Sequence, residues 1–239
     1  MNYNNPEFDR AMSSSSFGTS LSVPALMRKV YVWMTLALVI TGLTSYGVAT
    51  SPGILQMIFG NQLVFWGLII AEFALVIGIS AAINRLSIST ATLMFVLYSV
   101  INGATLSSIF LLYTMSSIAS VFFITAATFG VMSLIGIVTK TDLSGMGKML
   151  MMALVGLIIA TVVNIFMKSS GLAMILNYAG VLIFVGLTAY DTQKIKTMLA
   201  MAPSDENGQK LALLGALSLY LDFINLFIYL LRILGDRKN

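Results

Sequence analysis

Neither cysteine nor histidine occurs among the 239 residues. Their absence excludes disulfides, thiolate nucleophiles, zinc or iron–sulfur sites built on those ligands, and any imidazole base or proton relay. Charge is scarce too. Only 9% of residues are Asp, Glu, Lys or Arg, against about 25% in a soluble domain. With 58% of the chain apolar, there is too little polar surface to cover a water-soluble body. Any chemistry must use carboxylates, hydroxyls, amides, Lys or Arg, and no cofactor is expected. The net charge of +4 comes from basic residues scattered near helix ends, with no basic run and no interleaved aromatics, which argues against nucleic acid.

A cleavable signal pattern is missing as well. Residues 1–27 are polar and Ser-rich (Ser13 to Ser16), with Glu7 and Asp9, and read as a disordered cytoplasmic tail. What the chain does have is apolar sequence, at about 30–50, 63–84, 88–112, 118–138, 148–167, 171–190 and 211–234. Each stretch is near the ~20 residues that cross a bilayer as a helix. The expectation is an all-α integral membrane protein with seven spans in one domain, 28–235, and a short polar tail, 236–239. Lipid is its first partner.

Turn chemistry separates the spans: Ser51-Pro52-Gly53, Ser169-Ser170-Gly171, and the Pro203 to Gly208 loop. Small residues inside them, such as Asn102-Gly103-Ala104-Thr105 and Gly130 to Gly136, are read as close helix contacts. An N-terminus in the cytoplasm puts Arg10, Arg28, Lys29, Arg85, Lys140, Lys148, Lys194, Lys196 and Lys210 on that side. Lys168, Arg232, Arg237 and Lys238 oppose them. That bias satisfies the positive-inside rule. The three C-terminal cations dissent, and a re-entrant or tilted last helix would remove the conflict.

Three acids fall in or beside spans: Glu72, Asp191 and Asp222. A charge at the bilayer centre costs about 2.5–3.5 kcal/mol even on lenient scales, so such residues usually face the interior and serve a pathway. Ser218, Asp222, Asn225, Tyr229 and Arg232 recur every three or four residues and share one helix face. Leu219, Tyr220, Phe223, Phe227 and Leu231 form an almost wholly apolar opposite face. The last helix should therefore be central or cavity-facing. A shorter stripe, Asn177, Gly180, Phe184, Thr188 and Asp191, runs along the sixth span. Asp191 is expected at the cytoplasmic end of that span, where it can meet Asp222. Two carboxyls in contact cannot easily both ionise, so such a pair can hold one shared proton. The alternatives are structural: a headgroup-level acid for Asp191, an interhelical hydrogen bond for Asp222, and a packing residue for Glu72.

Ala216-Leu217-Ser218-Leu219-Tyr220-Leu221-Asp222-Phe223-Ile224-Asn225-Leu226-Phe227, followed by Leu230-Leu231-Arg232, resembles the C-terminal signature of the Bax inhibitor-1 family. Tyr190-Asp191-Thr192-Gln193-Lys194-Ile195 is similar to that family's sixth-helix motif. The resemblance covers about residues 25–235 and is that of a bacterial-type member, which places the chain in the inner (plasma) membrane. It implies two layers of three helices around a central seventh helix. It also implies a pH-sensitive calcium leak gated by an aspartate pair, matched here by Asp191 and Asp222. Glu72 is similar to a second-helix glutamate near the pore. The family's second-helix arginine, which contacts the pair, falls at Ile83. Arg85 lies two residues on, about 200° around the helix, and is the candidate replacement.

Calcium takes oxygen ligands, so Asp191, Asp222 and Glu72 are the candidate transient ligands, with Ser218 and Asn225 along the path. In this reading a proton shared by Asp191 and Asp222 closes the cytoplasmic mouth, and its loss admits an ion toward Glu72. Calcium and protons are the ligands, and calcium is cargo. Three other readings stand beside it. A non-transporting regulator would bind membrane-protein partners through its polar stripes. A proton-coupled cation exchanger would use the same carboxylates. An aspartyl protease would use the dyad, but Leu219-Tyr220-Leu221-Asp222 lacks a Gly-x-Gly-Asp pattern. No enzymatic activity is expected.

Overall fold

The computed structural model describes residues 22–202 and 205–238. They form nine helices: α1 (Val23–Ala49), α2 (Pro52–Phe59), α3 (Gln62–Ala82), α4 (Ile88–Leu106), α5 (Ile109–Leu112), α6 (Met115–Val138), α7 (Ser144–Met167), α8 (Ser170–Ala200) and α9 (Asp205–Leu234). Seven spans are long and apolar enough to cross a membrane, with α4 and α5 together making the third. Helices suit lipid because each satisfies its own backbone.

Polar residues stop and start them. Asn61 Oδ1 accepts from Leu63 N (3.0 Å) at the head of α3, and Ser87 Oγ from Thr90 N (3.1 Å) at the head of α4. These side chains satisfy N–H groups that have no partner within the helix. Lys168 ends α7 in the left-handed conformation, φ 50°, usually taken by glycine. The Asn164 amide oxygen receives the next backbone N–H, from Ser169.

Two boundaries differ from the sequence reading. The first helix begins at Val23 with Pro24 in its first turn, so residues 23–27 belong to α1, and 1–21 lie outside the described residues. The sixth span continues to Ala200, which puts Asp191 inside the helix and not at its end. The physical reason is a change of pattern. Past Asp191 the helix buries Thr192, Ile195 and Leu199 and exposes Lys194, Lys196 and Thr197, so it runs on amphipathically beyond the hydrocarbon. Gln193 straps the α6–α7 loop to it, accepting from Leu143 N and donating to Thr141 O, both at 2.9 Å. In that loop two hydrogen bonds from Ser144 hold the Asp142 carboxyl below the usual carboxylate range.

The spans stack as two layers. In one, α3 packs on α4 and α4 on α1. In the other, α7 packs on α8 and α8 on α6. Helix α9 lies between, touching α8, α1, α6, α4 and α3. Its Leu213, Leu219, Tyr220 and Leu226 have no exposed surface, whereas the outer helices leave Leu63, Phe73, Phe166 and many others open. Glycines bring neighbouring helices of each layer close. A Cβ on Gly136 would collide with Ala189 O, and one on Gly103 would sit 2.6 Å from Thr41 O.

Helix α9 crosses the whole bundle. Near its start, Gly208 lies beside Leu26 of α1. Beyond its end, Thr114 N donates to Asp236 O and Lys238 N to Leu112 O, so the tail pairs with the α5–α6 turn. Lys238 Nζ also donates to Phe110 O (2.7 Å). The two ends of α9 thus sit on opposite faces, and no re-entrant turn relieves the C-terminal cations. They are held locally instead, with Arg232 5.7 Å from the Tyr229 ring centre.

Candidate functional site

Helices α8 and α9 run antiparallel with a register set by small residues. Gly215 of α9 has Ile195 of α8 against it, and one turn further Ser218 Oγ donates to Asp191 Oδ2 at 2.9 Å. This register sets Asp191 and Asp222 on facing helices along one cavity, with Lys194 one turn from Asp191 on α8. Asp222 is 5% exposed, and its Oδ2 has no N–H or O–H donor. A buried carboxylate oxygen without a donor is costly.

The polar stripe of α9 faces a cavity of about 930 Å³. Ser218, Asp222, Asn225 and Tyr229 line it, together with Asp191 and Glu72. Asn225 does not reach the aspartates, since its Nδ2 donates to Leu221 O of its own helix (2.8 Å). The α8 stripe meets the α9 stripe. Phe184 stacks on Tyr229, ring centres 5.9 Å apart, and that tyrosine packs flat over Gly180, where a Cβ would come within 2.7 Å of the ring.

Glu72 stands apart from the pair. It is held from α4, accepting from Thr105 Oγ1 at 2.6 Å and Asn102 Nδ2 at 3.3 Å. Among the described residues no three acids converge on a metal-sized point. Glu72 thus lies apart from Asp191 and Asp222 along the same cavity. Arg85 is not brought to the pair either. It is exposed beyond the end of α3 and does not line the cavity, while Ile83 is buried in packing. Lys194 is the nearby cation instead.

The residue that sequence reasoning missed is Tyr220, on the face read as apolar. Its hydroxyl donates to Asn102 Oδ1 (2.8 Å) and lies 2.7 Å from Thr41 Oγ1, while its ring meets Phe95 and Tyr98 edge-on. A buried chain thus runs from Thr41 through Tyr220 and Asn102 to Glu72. Asn102 and Thr105 are three residues apart, the spacing of one helix face. Two amide and hydroxyl groups on one face of a membrane helix were the available signal, and their partners were not.

Comparisons with known proteins agree with this architecture. The family model described as Bax1-I, inhibitor of apoptosis-promoting Bax1, matches residues 23–239. The inner membrane protein YbhL of Escherichia coli (strain K12) is 51% identical over 214 residues, 89% of this chain and 92% of that one. An uncharacterized protein of Borreliella burgdorferi is 48% identical over the same shares, and one of Caulobacter vibrioides is 37% identical over 98% of this chain and 99% of its own. With seven spans, six of them around a central α9, and a family match over nearly its whole length, the chain is an integral membrane protein of the Bax1-I family.

Proposed function

We propose that this protein is a pH-sensitive calcium leak of the bacterial inner membrane, gated by Asp191 and Asp222, and not an enzyme. The observation that carries the reading is that both carboxyls line one cavity that also holds Glu72, with Asp191 of α8 bonded to Ser218 of α9. A proton shared by the pair ties α8 to α9 and supplies the missing partner of Asp222 Oδ2. Removing it leaves two like charges, which at about 4 Å and an effective dielectric near 20 repel by roughly 4 kcal/mol. That repulsion works against an α8–α9 contact held by the Ser218 hydrogen bond, the Gly215–Ile195 approach and the Phe184–Tyr229 stack. A calcium ion then finds oxygen ligands first at the pair and next at Glu72, with hydroxyls and amides between.

The inner-membrane placement rests on the name of the Escherichia coli relative. An N-terminus in the cytoplasm is supported by the fold, which gathers Arg28, Lys29, Arg85, Lys140, Lys148, Lys194, Lys196 and Lys210 at one end of the bundle. Arg10 lies outside the described residues. The test is calcium flux into liposomes containing only the purified protein, measured across pH. Asp222→Asn is expected to flatten the pH dependence, because an amide cannot share the proton. An unaltered profile refutes the gate, and an absence of flux at every pH refutes the leak.

A further inference from the structure

The cavity is larger and more apolar than a calcium path requires. A water molecule occupies about 30 Å³ of liquid, so 930 Å³ is room for a drug-sized ligand, in the range typical of small-molecule sites. It lies in the slot between α3 and α7, the outermost helices of the two layers, with α9 at its back. Phe73 of α3 and Met151 and Ile158 of α7 line it, yet these three are 67%, 49% and 55% exposed. Side chains at once inside and outside mark the mouth. Since both helices are spans, that mouth opens sideways into the bilayer.

The charge within has one sign. Glu72, Asp191 and Asp222 line the cavity, and among the described residues no Lys or Arg does. Both Glu72 oxygens have hydrogen-bond partners on α4, Thr105 and Asn102. Asp222 Oδ2 is buried without a donor. Glu72 sits ten residues into the 21-residue α3, near mid-bilayer. Phe73 and Tyr98 add aromatic rings to the lining, and aromatic faces attract cations.

We infer that this cavity is a binding site for lipophilic organic cations, quaternary ammonium or phosphonium ions with apolar arms, that reach it from the bilayer through the α3–α7 slot. The positive centre sits between Glu72 and the Asp191–Asp222 pair, and the arms pack on Phe73, Ile158 and Tyr229. A phospholipid tail fits the apolar walls but brings no positive charge to Glu72. The inference uses the cavity and goes beyond the leak, since binding requires no ion flow.

The experiment is equilibrium binding of radiolabelled tetraphenylphosphonium to the full-length protein in phosphatidylcholine nanodiscs, with empty nanodiscs subtracted and no ion gradient. Saturable binding near one ion per chain is expected, weakened at least tenfold by Glu72→Gln and by Asp222→Asn. Ile158→Trp, at the exposed rim, fills the space where an arm packs without touching an acid and is expected to reduce binding, so the inference stays testable should a carboxyl variant misfold. Neutral triphenylphosphine oxide should not compete. Absence of saturable binding, indifference to both Glu72→Gln and Ile158→Trp, or equal competition by the neutral compound overturns the inference. The last result would mark a cavity for lipid tails. Lost binding with calcium flux intact, or the reverse, tells this failure from that of the leak.

Discussion

Tyr220→Phe removes a single oxygen from the centre of the bundle, and the structure determines what should follow. The ring keeps its edge-on contacts with Phe95 and Tyr98, so no cavity larger than a hydroxyl opens. Two polar neighbours lose a contact: Thr41 at 2.7 Å and Asn102 Oδ1 at 2.8 Å. Thr41 has an alternative, because its hydroxyl also reaches Ser99 O at 3.0 Å. Asn102 Oδ1 has none, and Asn102 is only 7% exposed. The cost is therefore that of one buried, unsatisfied acceptor, about 1–3 kcal/mol. Interhelical hydrogen bonds in membranes average about 0.6 kcal/mol, which places the expected loss toward the lower end of that range. Thr41→Val is the internal comparison. It leaves Tyr220 donating to Asn102, so it should cost less than Tyr220→Phe. Reversible unfolding of the purified variants by sodium dodecyl sulfate in mixed micelles would measure both. If Thr41→Val costs as much as Tyr220→Phe, or if Tyr220→Phe is neutral, Tyr220 is an ordinary core aromatic and the chain to Glu72 has no energetic weight.

Other outcomes follow from the same geometry. Gly136→Ala and Gly130→Ala lie in one helix and share the same gain in helix propensity, up to about 1 kcal/mol. The new methyl group collides with Ala189 O in the first and meets nothing within 4 Å in the second. Gly136→Ala should lower the midpoint of thermal unfolding, by about 1–3 kcal/mol of overpacking, while Gly130→Ala leaves or raises it; equal shifts would contradict the α6–α8 contact. Because the chain has no cysteine, single cysteines report topology directly. Lys140→Cys and Lys168→Cys, at opposite ends of α7, should react with a membrane-impermeant maleimide from opposite sides of the membrane, and Arg237→Cys from the Lys168 side. Labelling of Lys140→Cys and Arg237→Cys from one side would rule out the seventh crossing. Gln193→Ala should accelerate amide hydrogen exchange at Leu143, whose N–H it receives; unchanged protection would mean that the loop does not depend on the strap.

The arrangement explains why the last helix carries both the chemistry and the core. Its polar stripe faces the cavity while Leu219, Phe223 and Leu231 fill the space between the layers. The C-terminal pairing with the α5–α6 turn anchors the far end of the same helix.

Composition and periodicity alone determined that the chain crosses a membrane seven times and that residues 218 to 229 present one polar face. Hydrocarbon punishes unpaired polar groups in any arrangement, so these features are legible before folding. The stripe around Asp191 was legible for the same reason, but the extent of its helix was not. Beyond the hydrocarbon the pattern changes from uniformly apolar to amphipathic, and a segment of that kind reads as loop until its packing partners are known. Which acids meet was decided only by tertiary structure. Asp191 and Asp222 come together because Gly215 and Ser218 set the α8–α9 register, while Glu72 is turned toward Asn102 and Thr105 of a neighbouring helix. Tyr220 is the clearest case. An aromatic between Leu219 and Leu221 is indistinguishable from packing in one dimension, and only Thr41 and Asn102, 179 and 118 residues away along the chain, reveal that its hydroxyl is in use.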